Sequence, residues 1–371
     1  MEFFAVDLIP FEAPAYARNP HFQTITMHLM QKIPGYMPRG LGLIHETALV
    51  PTLDGVGDRL LLHVHRFHDH DQPAVLLVHG LEGSADSHYM IKMTDKLLAS
   101  GFHVVRMNLR SCGAGRTFAR RSYHCGLTID IEAALEFMHH HVSKAVAVVG
   151  FSLGSNLTVK FMGEDRSERD RQVMAAGGKP RRTRIKNRLA EVFCGISVPL
   201  DVYASCEYLD SDNCRLYRDA FMKDFHAKIM AGKFDHVPGG KSELKNVHSW
   251  FDLDHLYTAP SAGFRGAVEY YTTCSSKIYV PFIEQPGLLL HSRDDPLIHP
   301  VAWDEINWKR FAHLDVEITD HGGHLGWYAA KHPYFPDRRW MDYRILRFLL
   351  EWKQDRSLQK KRYSLFSRTK A

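Results

Sequence analysis

The stretch AVAVVGFSLGSNLTVKFM, residues 145–162, decides the fold. Ala145 to Phe151 reads as a short, uncharged, β-branched strand, and Leu153 to Met162 as a helix. Ser152 therefore falls at a strand-to-helix corner, with Gly150 and Gly154 on its flanks. A turn that tight accepts only small flanking residues. It lifts the serine hydroxyl above the sheet, while the following amide faces an incoming carbonyl. The bland alternative is a glycine-flanked serine that merely caps a helix, and the position between strand and helix argues against it.

Outward from this corner the same alternation repeats. Strands are expected at His45 to Pro51 and Leu60 to Arg66, an antiparallel hairpin turning at Asp54-Gly55, then at Ala74 to His79, His103 to Leu109, Ala145 to Phe151, Val192 to Val198, Gly287 to Ser292 and Val316 to Thr319. Helices are expected at His88 to Ala99, Leu127 to His141, Leu153 to Met162, Pro300 to Phe311 and Met341 to Trp352. This is the pattern of an α/β protein whose mostly parallel sheet is covered on both faces. Residues 203–285 break the rhythm. They are rich in aromatics, among them Phe221, Trp250, Tyr257 and Tyr270, and are expected to form a helical cap over one end of the sheet. The core is then 1–202 with 286–371, including an N-terminal extension 1–44 and a basic insertion at about 164–190, and the tail from Gln354 is expected to fray.

A serine hydroxyl attacks well only when a base takes its proton, and a histidine suits that task at working pH. Such a base should follow the last core strand, where Asp320-His321-Gly322-Gly323-His324-Leu325-Gly326 lies. His324 is preferred to His321 because the paired glycines directly precede it. The histidine needs a carboxylate to fix its tautomer, and Arg293-Asp294-Asp295-Pro296 supplies one after the penultimate strand. Asp295, beside the proline turn, is preferred to Asp294, and the order Ser, Asp, His along the chain fits. Two backbone amides should receive the oxyanion: Leu153, after the nucleophile, and Leu81, in the turn His79-Gly80-Leu81-Glu82-Gly83. His79 on its own reads equally as a satisfied buried histidine.

Composition excludes other classes. The 371 residues are 45% hydrophobic and 24% charged, ordinary for a globular chain. The opening MEFFAVDLIPFEAP has no basic start before an apolar run, and no apolar stretch approaches the roughly 20 residues that span a bilayer, so a cytoplasmic protein is expected. Cys112, Cys125, Cys194, Cys206, Cys214 and Cys274 show no CxxC or zinc-finger spacing and read as free, mostly buried thiols. Residues 164–190 hold nine Lys or Arg against four acids, a surplus equal to the net charge of +5 for the whole chain. A nucleic-acid-coating protein is not indicated. The basic stretch reads as a solvated insertion, with peripheral contact to anionic lipid or a partner as its alternative. His63, His65, His68 and His70 resemble metal ligands, but their spacing on a strand end points instead to an exposed edge. His139, His140 and His141 close a helix where positive charge suits the dipole. The His299 and Asp304 spacing, seen in some acyltransferases, arises readily by chance among 24 histidines.

With those residues placed, the sequence resembles the YheT-like branch of the α/β-hydrolases, related to the eukaryotic membrane-anchored abhydrolase-domain proteins. The resemblance rests on Asn19-Pro20-His21-Phe22-Gln23-Thr24, His79 to Gly83, Tyr123-His124-Cys125-Gly126 and Gly150 to Gly154. It continues through Phe251-Asp252, Tyr257-Thr258-Ala259-Pro260, Gly263-Phe264, Tyr270-Tyr271, Cys274-Ser275-Ser276, Asp294-Asp295-Pro296 and Gly322-Gly323-His324, nearly the whole chain. It implies the α/β-hydrolase fold with an eight-stranded sheet, and hydrolysis of carboxylic esters of short to medium acyl chains, with monoacylglycerol or other lipid esters as candidates, by the same three residues. No metal or organic cofactor is expected. Ser111 stands where the family often has glycine, and the stretch after Gly163 has the character of an insertion. Two rivals remain: an acyltransferase working through the same acyl-enzyme, and a non-catalytic binding scaffold, which would have no need to retain Ser152, Asp295 and His324.

Overall fold

Short apolar runs form strands and longer patterned ones form helices in the computed structural model, which describes residues 8–29, 42–69, 71–164, 189–230, 244 and 247–368. Eight strands, β1 (Leu43–Pro51), β2 (Arg59–Phe67), β3 (Ala74–Val78), β4 (His103–Met107), β5 (Val146–Phe151), β6 (Val192–Ile196), β7 (Gly287–Ser292) and β8 (Leu314–Thr319), make one sheet in the order β1-β2-β4-β3-β5-β6-β7-β8. β2 runs antiparallel to both β1 and β4, and the other pairings are parallel. The chain leaves β3 for β4 on one side and returns to β5 on the other. The loops after β3 and β5 therefore diverge and open a crevice at their carboxyl ends.

The principal helices are α1 (Pro20–Leu29), α2 (His88–Ala99), α3 (Ile129–His141), α4 (Leu153–Gly163), α5 (Val202–Asp210), α6 (Arg215–Met230), α7 (Ala267–Cys274) and α8 (Trp340–Arg368). Strand alternation decides which layer each residue joins. Leu76 and Val148 face Leu135 of α3 and Leu157 of α4, whereas Val75, Leu77 and Val149 face Met93 of α2 and Leu349 of α8. Both faces are buried, as the continuous apolar runs require. A third cluster, including Met222 and Phe225 of α6, Trp250, Tyr257 and Tyr270, lies in the helical segment between β6 and β7. None of the described helices is long and apolar enough to cross a membrane.

Some expectations need correction. The helix expected over Pro300 to Phe311 stops early, as Val301–Glu305 followed by a separate turn at Trp308–Arg310. Ile306 is extended there, which folds Trp308 back so that its indole donates to the Trp303 carbonyl at 2.9 Å. The tail does not fray at Gln354: α8 continues to Arg368, aided by Trp352 Nε1 on Glu191 Oε2 at 3.1 Å and an Arg356–Glu191 ion pair. The β2 histidines do not form an exposed edge, because β1 pairs outside them. His65 is buried, with Nδ1 on His45 Nδ1 at 2.6 Å and Arg106 Nε donating to its Nε2 at 3.4 Å. Burial and the Arg106 charge push it down to about 3, so it is neutral. His70 and most of the basic stretch 164–190 lie outside the described residues. All six cysteines are buried and unbridged.

Candidate active site

Ser152 is the hinge between β5 and α4, and its φ of 53° lies in the left-handed region that non-glycine residues avoid. Its amide donates to the Ile196 carbonyl of β6 at 2.9 Å, anchoring the strained corner to the sheet. The turn after β3 comes directly against it: a side chain at Gly80 would lie 2.8 Å from Ser152 Cβ. Here glycine is required by close approach of two backbones.

The donors of that turn are nearly all spoken for. Gly80 N donates to Tyr89 Oη at 3.0 Å, Glu82 N to Tyr123 Oη at 2.9 Å, Gly83 N to the Gly80 carbonyl at 3.1 Å and Ser84 N to Ser87 Oγ at 3.0 Å. Among the described residues no group accepts from the Leu81 amide. Leu153 is the first residue of α4, where the amide has no acceptor within the helix. Leu81 and Leu153 both line the cavity that contains Ser152 and His324. His79 proves to be a satisfied core histidine: Nδ1 donates to the Gly80 carbonyl at 2.8 Å and Nε2 accepts from Leu109 N at 3.0 Å. Burial pushes it down to about 4, so it stays neutral and braces the turn from below.

On the far side of the sheet's midline, the loops after β7 and β8 bring in the other two residues. Asp295 Oδ2 lies 2.8 Å from His324 Nδ1, and His324 Nε2 lies 3.0 Å from Ser152 Oγ. The Asp295 side chain is fully buried. Its Oδ1 accepts from Leu297 N at 2.8 Å and Ile298 N at 3.1 Å. Burial alone would raise this carboxyl, yet the His324 charge and hydrogen bond hold it below the ordinary range. An ionised carboxylate can only accept, so Nδ1 carries the imidazole proton and Nε2 is free to accept from the serine hydroxyl.

The competing pair does something else. Asp294 accepts from Gly323 N at 2.9 Å and meets His321 Nδ1 at 3.3 Å, with His321 side chain 41% exposed, so the two hold the loop from outside. Sequence reasoning missed Asn156, a fully buried residue of α4. It donates to the Cys125 and Cys274 carbonyls at 2.9 and 3.0 Å and accepts from Ser276 N at 2.9 Å. It thereby ties two loop motifs to the serine helix, and nothing in the sequence set it apart from the other polar residues of that helix, Ser155, Thr158 and Lys160. Ser111, at φ 61°, takes a glycine-like conformation and donates to the Arg121 carbonyl at 3.0 Å. No group of metal-binding side chains is found among the described residues.

The cavity has a volume of about 1080 Å³. Its floor is the Ser152 corner, and Phe221, Trp250, Leu253 and Tyr257 supply an apolar roof.

Comparison with known proteins agrees with this architecture. The profile of the Alpha/beta hydrolase family matches residues 75–337. YheT, a candidate esterase of Escherichia coli, is 26% identical over 293 residues, covering 77% of this chain and 79% of that one. A monoacylglycerol lipase of Saccharomyces cerevisiae is 26% identical over 294 residues, covering 76% of this chain but 60% of the yeast protein. Among solved structures, an esterase of Pyrococcus furiosus superposes with a TM-score of 0.52 at 17% identity, over 86% of this chain and 98% of its own, which speaks to the fold alone.

Proposed function

The chain belongs to the alpha/beta hydrolase family, in its YheT-like branch, and on that premise we propose that it hydrolyses carboxylic esters through an acyl-enzyme formed on Ser152. The observation that carries the reading is the continuous relay from Asp295 through His324 to Ser152, with contacts of 2.8 and 3.0 Å. Ser152 Oγ attacks the ester carbonyl carbon as His324 Nε2 takes its proton. The negative charge collects on the carbonyl oxygen, which the Leu81 and Leu153 amides receive; one such donor contributes about 3 kcal/mol. Collapse expels the alcohol, which leaves with the proton from His324. Water then attacks the acyl-serine by the same relay and releases the acid. Asp295 stays ionised throughout and steadies the imidazolium.

The apolar roof suits the acyl chain of an ester, and short- to medium-chain acyl esters, with monoacylglycerols or other lipid esters among them, are the proposed substrates. A panel of nitrophenyl esters from acetate to palmitate, run with wild type and Ser152→Ala, tests the proposal. Short or medium chains should turn over fastest, and the alanine variant should lose at least about a thousandfold in rate. Wild-type protein that neither hydrolyses the panel nor takes a fluorophosphonate label at Ser152 would overturn it.

A further inference from the structure

The imidazole sits on a glycine-rich loop with no regular structure, so something outside the loop must fix its backbone. Asp294 holds Gly323 from one side. From the other side the loop is held by α1, whose residues lie some 300 positions earlier. Asn19 caps that helix, with Oδ1 accepting from His21 N at 2.9 Å and Phe22 N at 3.1 Å. The Thr24 hydroxyl donates to the Pro20 carbonyl at 2.8 Å, which turns its lone pair outward to accept from His324 N at 2.9 Å. Gln23 is fully buried. Its Oε1 accepts from Tyr328 N at 2.6 Å, and its Nε2 donates to the Ala17 carbonyl at 2.6 Å and the Tyr328 carbonyl at 3.2 Å. Gly323, at φ 59°, lies so close to α1 that an added side chain would meet the Pro20 carbonyl at 2.5 Å.

We propose that Gln23 and Thr24 are positioning residues for His324, α1 setting the backbone of residues 324–328 and with it the reach of the imidazole to Ser152. Thr24 fixes the loop at the histidine itself. Gln23 fixes it four residues further on by engaging both main-chain groups of Tyr328, as a neighbouring strand would. The inference rests on the acyl-enzyme reading, since it assigns these residues to the base of that reaction. A displacement of about 1 Å at a reacting group costs about a hundredfold in rate.

The full chain carrying Gln23→Met, Gln23→Glu, Thr24→Val or Thr24→Ser is compared with wild type and His324→Ala for kcat and KM on nitrophenyl butyrate, rate of fluorophosphonate labelling, and unfolding midpoint. Thr24 lines the cavity and Gln23 does not, so a Gln23 effect cannot arise from substrate contact. Gln23→Met should lower kcat and the labelling rate in parallel by about tenfold to a hundredfold, with KM within about twofold. Gln23→Glu, which sets a carboxylate oxygen against the Ala17 and Tyr328 carbonyls, should lose at least as much as Gln23→Met. Thr24→Val should slow both reactions and Thr24→Ser should restore them, which keeps the test decisive if Gln23→Met fails to fold. Variants whose rate per folded molecule equals wild type, while His324→Ala is inactive, overturn the inference alone. A wild type that is inactive and unlabelled, or an unimpaired His324→Ala, overturns both readings.

Discussion

Asp254 lies in the cavity wall with Tyr271 Oη donating to its Oδ2 at 2.8 Å, and the relay of Ser152, His324 and Asp295 does not use it. Burial pushes its carboxyl up to about 6, with Asp210 adding to the rise and hydrogen bonds from Thr258 and Tyr271 opposing it. The folded protein therefore keeps this proton over a range where the unfolded chain has lost it. Below pH 3.8 both forms are protonated and the group is neutral in its effect. As pH rises from 3.8 to about 6 the unfolded chain gives up this proton and the folded one holds it, so stability falls across that window and stays lower above it. Asp254→Asn should then raise the unfolding midpoint by about 1 to 3 °C at pH 7.5 and leave it unchanged near pH 4. A variant less stable than wild type at pH 7.5 would show that the ionised carboxylate is needed by its neighbours. The raised carboxyl was invisible in the sequence, because an aspartate in a cap of unknown packing reads as solvated. Ser152, Asp295 and His324 were legible for the opposite reason: each follows a strand whose apolar run marks where a loop begins, and glycine or proline beside them announces the turn.

Elements meet through charge as well as apolar faces, and the seam between α2 and α8 is the clearest case. Asp342 of α8 accepts from Arg339 Nε at 2.6 Å and from Lys96 of α2 at 2.9 Å. Burial would raise this carboxyl, but Arg339 and Lys96 outweigh it and bring it down to about 2. A depressed carboxyl stabilises the fold above its unfolded value of 3.8, and that contribution disappears as pH falls towards 2. Asp342→Asn should accordingly lower the denaturation midpoint at pH 7, and the gap to wild type should close at about pH 2 to 3. A gap independent of pH would mean that packing, not charge, joins the helices. Strand positions were readable to within a residue or two because their period is local. The break at Ile306 was not, since it depends on Trp308 finding Trp303, and neither was the buried set of Arg110 with Asp54 and Asp130 at 2.6 and 2.8 Å, whose carboxylates lie 56 and 20 residues from the arginine.

At the scale of the whole molecule, the core carries Ser152, Asp295 and His324, and the segment between β6 and β7 supplies an apolar wall of the cavity above them. Phe221 of α6 packs edge-on against Trp250, with ring centroids 5.9 Å apart, and both line the cavity. Phe221→Ala opens that wall without touching Ser152, so the ratio of kcat/KM for decanoate over butyrate should rise by about tenfold. An unchanged ratio would place the acyl chain elsewhere. The contact of Thr24 with His324, and of Gln23 with Tyr328, also orders events during synthesis. A ribosome must deliver some 300 further residues before α1 can dock, so α1 waits, made early and used late. If α1 positions His324 as proposed, the working arrangement forms only after the chain has been made past Tyr328, and trimming α1 from the finished protein should slow a nucleophile more than 100 residues away along the polypeptide.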